Sequence, residues 1–276
     1  MNDEIVERLL AIEQSHNVRV LYAVESGSRA WGFASPNSDW DVRFLYVHRE
    51  DWYLTVHERR DVIELPIDGD LDINGWELRK SLRLLRKGNP VLFEWLKSPI
   101  VYMDGRDDLT DKALMDEYRR VAGDLFNPLA SVYHYWHMAK KNFREYLHGG
   151  EVRLKKYFYV LRPVLACQWV LAGHGQPPMA FADLLERQIP EGALRREIND
   201  LLRLKMSAEE MARGPARPAI NAFLDESLAV IEIAVRDVAR GPRNPSPIDG
   251  TDPVDDLFRD IVRNRGWHAR SEGVGE

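Results

Sequence analysis

Two carboxylates one residue apart, Asp39 and Asp41, open an apolar run from Val42 to Val47. Residues i and i+2 of an extended strand point to the same side. Both side chains are therefore expected on one face, with their oxygens directed at one point. Like charges held together in this way repel unless a cation lies between them, and hard oxygen donors suit Mg²⁺. Upstream, Gly27-Ser28 reads as a turn that offers backbone N–H groups and a hydroxyl to a phosphate. A third carboxylate, Asp72, lies between Leu71 and Ile73. Those apolar neighbours would face a core, so Asp72 faces the opposite way and is the candidate third member. Asp70 shares that face, but its place in the Asp68-Gly69-Asp70 turn makes solvation the simpler account. A phosphate cradle beside metal-binding carboxylates is the equipment for phosphoryl or nucleotidyl transfer.

Several elements must position these groups. Residues 3–16 carry a helical apolar stripe through Ile5, Leu9 and Ile12. Residues 18–24 read as a buried strand rich in β-branched and aromatic residues. After the Gly27-Ser28 turn and a Pro36-Asn37 loop, residues 39–47 form the next strand. Residues 51–58 read as loop with a helical turn. Residues 61–65 and 71–76 are strands joined by a hairpin turn. A helix is predicted over 77–87, stopped by Gly88-Asn89-Pro90. A short helix over 91–96 and an edge strand over 100–102 follow. From residue 107 to 240 the patterns are helical, over 131–147, 154–169, 181–186, 191–205 and 219–240. Gly149-Gly150 breaks this region, residues 173–178 read as a loop, and Pro163 should kink or break the second of these helices. Residues 241–247 read as a linker, 252–263 as an amphipathic tail helix and 271–276 as disordered. The expected division is a catalytic domain over 1–106, a helical domain over 107–240, and a linker and tail over 241–276.

Other residues keep two readings. Arg43 shares a face with Asp41 and either pairs with it or contacts phosphate. Arg79, Arg83 and Arg86 form a basic helix face that is either solvated or a substrate contact. Lys155, Tyr159 and Arg162 form a basic and aromatic face, for ligand or for structural pairing. Asn89 reads as a helix cap or loop anchor, and Glu94 as a buried acid bracing the site. The 8 histidines show no ligand spacing. Arg263 and His268 match the spacing of an RNase motif only weakly.

The chain has 276 residues, 45% hydrophobic and 30% charged, enough for a sizeable core and two domains. No run of 18 apolar residues suggests a membrane span, and the acidic Met1-Asn2-Asp3-Glu4 lacks a signal-peptide pattern. A single cysteine, Cys167, excludes internal disulfides and a cysteine metal cluster. A cytoplasmic location without a membrane partner is the resulting expectation. The net charge of -6 argues against broad electrostatic wrapping of nucleic acid, while leaving room for a local basic groove.

Val24-Glu25-Ser26-Gly27-Ser28, Ser38-Asp39-Trp40-Asp41-Val42 and Leu71-Asp72-Ile73 together resemble the DNA polymerase β-type nucleotidyltransferase superfamily. The longer signature is narrower. Gly27 to Gly32, Ser38 to Phe44, Lys87-Gly88-Asn89-Pro90, Glu94-Trp95-Leu96 and Lys155 to Tyr159 with Leu161-Arg162-Pro163 resemble the RNA-repair-pathway DNA polymerase β family of bacteria and phages. The resemblance covers roughly residues 18–185. It implies an α+β fold: an N-terminal polymerase β-like domain, with a small mixed sheet and helices, and a C-terminal all-helical domain. It implies template-independent transfer of an NMP from an NTP, ATP or CTP, to an acceptor hydroxyl, with pyrophosphate released. Asp39 and Asp41 would hold one Mg²⁺ and, with Asp72, a second, Mn²⁺ being able to substitute. Gly27, Ser28, Arg29 and Ser38 would serve the phosphates, and Lys155, Tyr159 and Arg162 the nucleotide or acceptor. An RNA 3′ end is the acceptor favoured by the family name and the basic helical face. A protein hydroxyl fits the acidic net charge better, and a small molecule such as an aminoglycoside is a third acceptor. A nucleotide-binding module without catalysis is the reading of a different class, against which the three intact aspartates speak.

Overall fold

The computed structural model describes residues 1–105, 109–207, 213–238 and 252–263. In chain order the first half holds α1 (Asn2–His16), β1 (Val18–Glu25), α2 (Gly27–Ala30), β2 (Trp40–His48), α3 (Glu50–Tyr53), β3 (Val62–Glu64), β4 (Leu71–Glu77), α4 (Leu78–Arg86), α5 (Pro90–Leu96) and β5 (Val101–Asp104). There follow α6 (Leu109–Asp124), α7 (Pro128–Tyr146), β6 (Glu151–Arg153), α8 (Phe158–Leu171), α9 (Phe181–Gln188), α10 (Ala193–Ser207), β7 (Arg213–Pro215), α11 (Pro218–Val238) and α12 (Pro253–Val262).

Five strands form a mixed sheet in the order β3-β4-β2-β1-β5. Strands β2 and β4 are parallel, and the other neighbours are antiparallel. A parallel pair needs a crossover, which here runs through α3 and β3. The period of two sorts the faces. Val42, Phe44 and Tyr46 of β2 and Leu71 and Ile73 of β4 pack on Ile5, Leu9 and Ile12 of α1. On the other face Leu45 and Val47 pack with Leu78 and Leu82 of α4, Leu92 of α5 and Leu257 of α12. Asp41, Arg43 and Asp72 alternate with the α1-facing residues and so belong to this second face.

Caps fix the helices that follow β4. Glu77 accepts from the N–H groups of Arg79 and Lys80 at the start of α4, and Asn89 accepts from Val91 and Leu92 at the start of α5. These side chains satisfy donors that a helix leaves unpaired in its first turn. A third core gathers α7 to α11, and Phe33 inserts into it from the loop after α2. The backbone N–H of Phe181 donates to the Trp31 carbonyl at 2.9 Å, a second tie between the two halves. No described helix is long and apolar enough to cross a membrane.

Three details differ from the sequence reading. The second half is not wholly helical, because β6 pairs antiparallel with β7, Val152 opposite Gly214. Strands of three residues carry no usable period, and this pairing joins segments far apart in sequence. The irregularity expected at Pro163 lies earlier, in a 3₁₀ turn at Leu154–Tyr157, and α8 runs through Pro163 to Leu171. Helix α6, read with the helical region, packs its Met115, Tyr118 and Val121 against the sheet. Residues 241–247, His268 and residues 271–276 lie outside the described residues.

Candidate active site

Asp41 and Asp72 are register partners across the parallel β2–β4 pair, which sets two carboxylates side by side. Between them lies Arg43. Its Nη2 donates to Asp41 Oδ1 at 3.1 Å and to Asp72 Oδ2 at 2.8 Å, and its Nη1 to the carbonyls of Val42 at 2.9 Å and Asp72 at 3.0 Å. The other oxygen of Asp72 accepts from Asn74 Nδ2 at 2.5 Å. Arg43 is thus a salt-bridge partner of both acids. Burial raises the Asp41 carboxyl above its ordinary pKa; Arg43 opposes this, and the charges of Asp72 and Asp39 add to it.

Gly27 explains itself through Asp41. It adopts the left-handed conformation (φ 61), and a Cβ there would lie 2.1 Å from Asp41 Oδ2. No other residue both tolerates this backbone and leaves the carboxylate its place. Glu25, at the end of β1, is fully buried. It accepts from the Asp41 N–H at 2.9 Å and from the Tyr102 hydroxyl at 2.6 Å, and burial raises its pKa. Glu25 therefore holds the main chain of Asp41 in place. Sequence reasoning passed over it, although an acid closing the apolar run Val20 to Val24 was a usable signal.

Arg29 turns toward the loop. Its guanidinium donates to the carbonyls of Ser38 at 2.6 Å and Asp39 at 3.1 Å and stacks on Trp40, 3.7 Å from the ring centre. It ties the Gly-Ser turn to the segment carrying Asp39. Ser38 accepts from the Ser35 N–H at 2.9 Å through Oγ.

A cleft of about 770 Å³ opens in front of Asp39 and Asp41; Asp72, behind Arg43, is not among its lining residues. Gly27, Ser28, Ser38, Asp39 and Asp41 line one side; Lys155, Tyr159 and Lys205 come from the helical half. Lys205 was not singled out in the sequence. It sits in the last turn of α10, and its Nζ lies 3.2 Å from Ser35 Oγ and 3.4 Å from Ser38 Oγ. Burial and then the nearby charge of Lys155 lower its pKa. The Tyr159 ring meets Trp31 edge-on at 5.9 Å, and burial followed by the charges of Asp41 and Asp39 raises its hydroxyl pKa. Arg162 is not brought to the cleft. It is 4% exposed, donates to Glu94 Oε1 at 2.7 Å beside the Tyr135 hydroxyl on the same oxygen, and stacks 4.8 Å from the Trp31 ring centre. The Arg79 and Arg86 stripe meets α12: Arg79 lies over Tyr53 and Phe258, and Arg86 pairs with Asp252 at 2.8 Å.

Among the described residues no group of three or more His, Cys, Asp or Glu side chains is placed to hold a metal ion. The donor chemistry nevertheless fits a hard divalent cation. Asp41 and Asp72 are adjacent oxygen donors, the charge of Asp72 adds to the raised pKa of Asp41, and a cationic side chain already bridges them.

RlaP, the RNA repair pathway DNA polymerase beta family, has a family model that matches residues 1–260. The uncharacterized protein YcgL of Bacillus subtilis (strain 168) is 46% identical over 238 residues, 86% of this chain and 89% of that protein. The crystal structure of a nucleotidyltransferase-like protein from Exiguobacterium sibiricum 255-15 aligns over 95% of this chain and 80% of that one. That overlay has 12% identity and a TM-score of 0.27, too loose to carry weight.

Proposed function

This chain belongs to the RNA repair pathway DNA polymerase beta family, and from that premise we propose that it is a nucleotidyltransferase moving an NMP from an NTP to an acceptor hydroxyl, the 3′ end of an RNA. The observation that carries this is the polarity of one cleft. Carboxylates line the sheet side; two lysines without a carboxylate partner among the described residues line the helical side. A polyanion with a bound divalent cation is complementary to both at once.

In this reading Lys155 and Lys205 bind and orient the triphosphate, while Ser28 and Ser38 add hydroxyl contacts. Asp39, Asp41 and Asp72 would hold Mg²⁺, which when bound neutralises phosphate charge and lowers the pKa of a hydroxyl. Asp72 accepts a hydrogen bond from the acceptor hydroxyl, aligns it for in-line attack on the α-phosphate and takes its proton as the new bond forms. The new bond is acceptor oxygen to α-phosphorus, the bond broken is α-phosphorus to bridging oxygen, and pyrophosphate leaves with those electrons. Gly27 and Glu25 fix Asp41, and Arg29 fixes the Asp39 loop, so the acids are preorganised. Tyr159 and Trp31 offer aromatic surface beside the phosphates.

The test is incubation with each of the α-labelled NTPs, Mg²⁺ and either RNA with free 3′ hydroxyls or a cell lysate. Label is expected on RNA and not with Asp41→Ala. Label on a protein band would move the acceptor to protein, and nucleotide binding without any transfer would leave a binding module.

A further inference from the structure

Arg43 makes four hydrogen bonds, and their division is informative. Nη1 is seated on two main-chain carbonyls, Val42 and Asp72, while Nη2 is shared between the Asp41 and Asp72 carboxylates. The first pair fixes where the guanidinium sits. The second uses the oxygens that a divalent cation would need. Asn74 takes the remaining oxygen of Asp72, while Gly27, lacking a Cβ, leaves the remaining oxygen of Asp41 its space. Arg43 is not among the residues lining the cleft; it touches the acids from within the sheet. A guanidinium does not deprotonate in a protein, so its charge is present at every working pH.

We propose that Arg43 sets the divalent-cation affinity of this centre, holding it low for the free ion so that the cation enters together with the nucleotide triphosphate. The inference rests on the nucleotidyl-transfer reading above. A cation arriving alone meets two carboxylates whose charge is half offset by the fixed guanidinium between them, with Lys155 and Lys205 across the cleft. A triphosphate brings the compensating negative charge. Each ligand then favours the other by the same factor, as reciprocity requires. Arg43 is a positioning residue in this scheme, since it acts through Asp41 and Asp72. Its consequence is protective as well, because an empty centre does not collect stray divalent ions.

The experiment titrates nucleotide-free protein with Mn²⁺ and follows the free ion by electron paramagnetic resonance. Arg43→Met, neutral and of similar length, is expected to bind Mn²⁺ at least about tenfold tighter than the unaltered protein; one power of ten is a modest shift for a neighbouring charge. Arg43→Lys keeps the charge without the fork of hydrogen bonds and should fall between the unaltered protein and Arg43→Met. Arg43→Met binding no tighter, with its circular dichroism unchanged, overturns the inference and leaves Arg43 a structural brace. A second measurement needs no variant: the unaltered protein should hold the Mn²⁺ complex of a non-hydrolysable NTP at least about tenfold tighter than free Mn²⁺. Equal or tighter binding of the free ion overturns the proposal. If neither free Mn²⁺ nor its nucleotide complex binds, the metal reading of the site falls with it. If the complex binds and only the Arg43→Met result fails, the nucleotidyl-transfer reading stands.

Discussion

The two walls of the cleft are built by different means. The acidic wall stands on strands, where pairing between β2 and β4 sets Asp41 against Asp72 and a buried glutamate fixes the Asp41 main chain. The cationic wall stands on the ends of two helical segments, with Lys155 in a 3₁₀ turn and Lys205 in the last turn of α10. A strand carboxylate has a short side chain and little freedom, so its place follows from backbone register. A lysine has a long stem and loses more rotamer freedom when it is held. The acids suit chemistry, where sub-ångström placement counts, and the lysines suit charge neutralisation, where it counts less.

Breaking the acidic wall should give the largest effect. Asp41→Ala is expected to lower NMP transfer by three powers of ten or more, about 4 kcal/mol at roughly 1.4 kcal/mol per tenfold. The circular dichroism and the melting profile should remain those of a folded protein. Full transfer in that variant would sink the site assignment.

Arg162 tests whether a cation of the helical half belongs to the cleft or to the core. With Arg162 replaced by Met, Glu94 keeps its largely buried carboxylate without the partner. Loss of one member of such a pair costs about 3 kcal/mol. Urea unfolding should show that loss, and Arg162→Met/Glu94→Gln together should recover most of it. A stable single variant that no longer binds nucleotide would instead put Arg162 at the site. Lys155→Ala and Lys205→Ala should do the reverse. Each is expected to raise the KM for NTP about tenfold, roughly 1.4 kcal/mol, at nearly unchanged kcat and melting temperature. A fall in kcat with constant KM would move these lysines from binding to transition-state stabilisation.

The same contrast explains what the sequence made legible. The side-by-side placement of Asp41 and Asp72 was readable because the period of two fixes the face of a strand residue, and Leu71 and Ile73 mark which face is core; Asp39 precedes β2, and the period does not place it. Asn89 and the Gly69 turn followed from local chemistry, a cap and a left-handed residue. Lys205 was not readable. Its helix carries Arg195, Arg196 and Arg203 as well, and only packing against the Ser35 to Ser38 loop distinguishes it. Arg162 misled for the same reason: it stands one turn beyond Tyr159, yet α8 is buried on nearly every side at that point. The sequence shows a change of composition at residue 107, but α6, which begins just after it, packs on the sheet. The packing of α6 and α12 on the sheet was not legible, since both are amphipathic helices that could have covered either core.

Strand β2 carries the comparison to its smallest effect, because its two ends differ as the two walls do. Burial raises the pKa of Asp41 at one end and lowers that of His48 at the other, in each case by disfavouring the charged form. His48 stacks on Trp52 at 4.1 Å with an interplanar angle of 6°, and its pKa is pushed down to about 4 from 6.5. Above pH 6.5 the imidazole is neutral in both folded and unfolded chains and contributes nothing to the pH dependence. As pH falls from 6.5 toward 4, the unfolded chain takes up a proton that the folded one resists, so stability declines; below about 4 both are charged and the loss is constant. His48 is partly exposed, and solvent screening cuts the linkage to about 1 kcal/mol. Chemical denaturation across this range, with the His48→Phe curve subtracted from that of the unaltered protein, isolates the effect from the carboxylates that titrate nearby. The difference should be flat above pH 6.5 and grow only below it. A flat difference throughout would mean that the Trp52 stack accommodates the imidazolium as readily as the neutral ring.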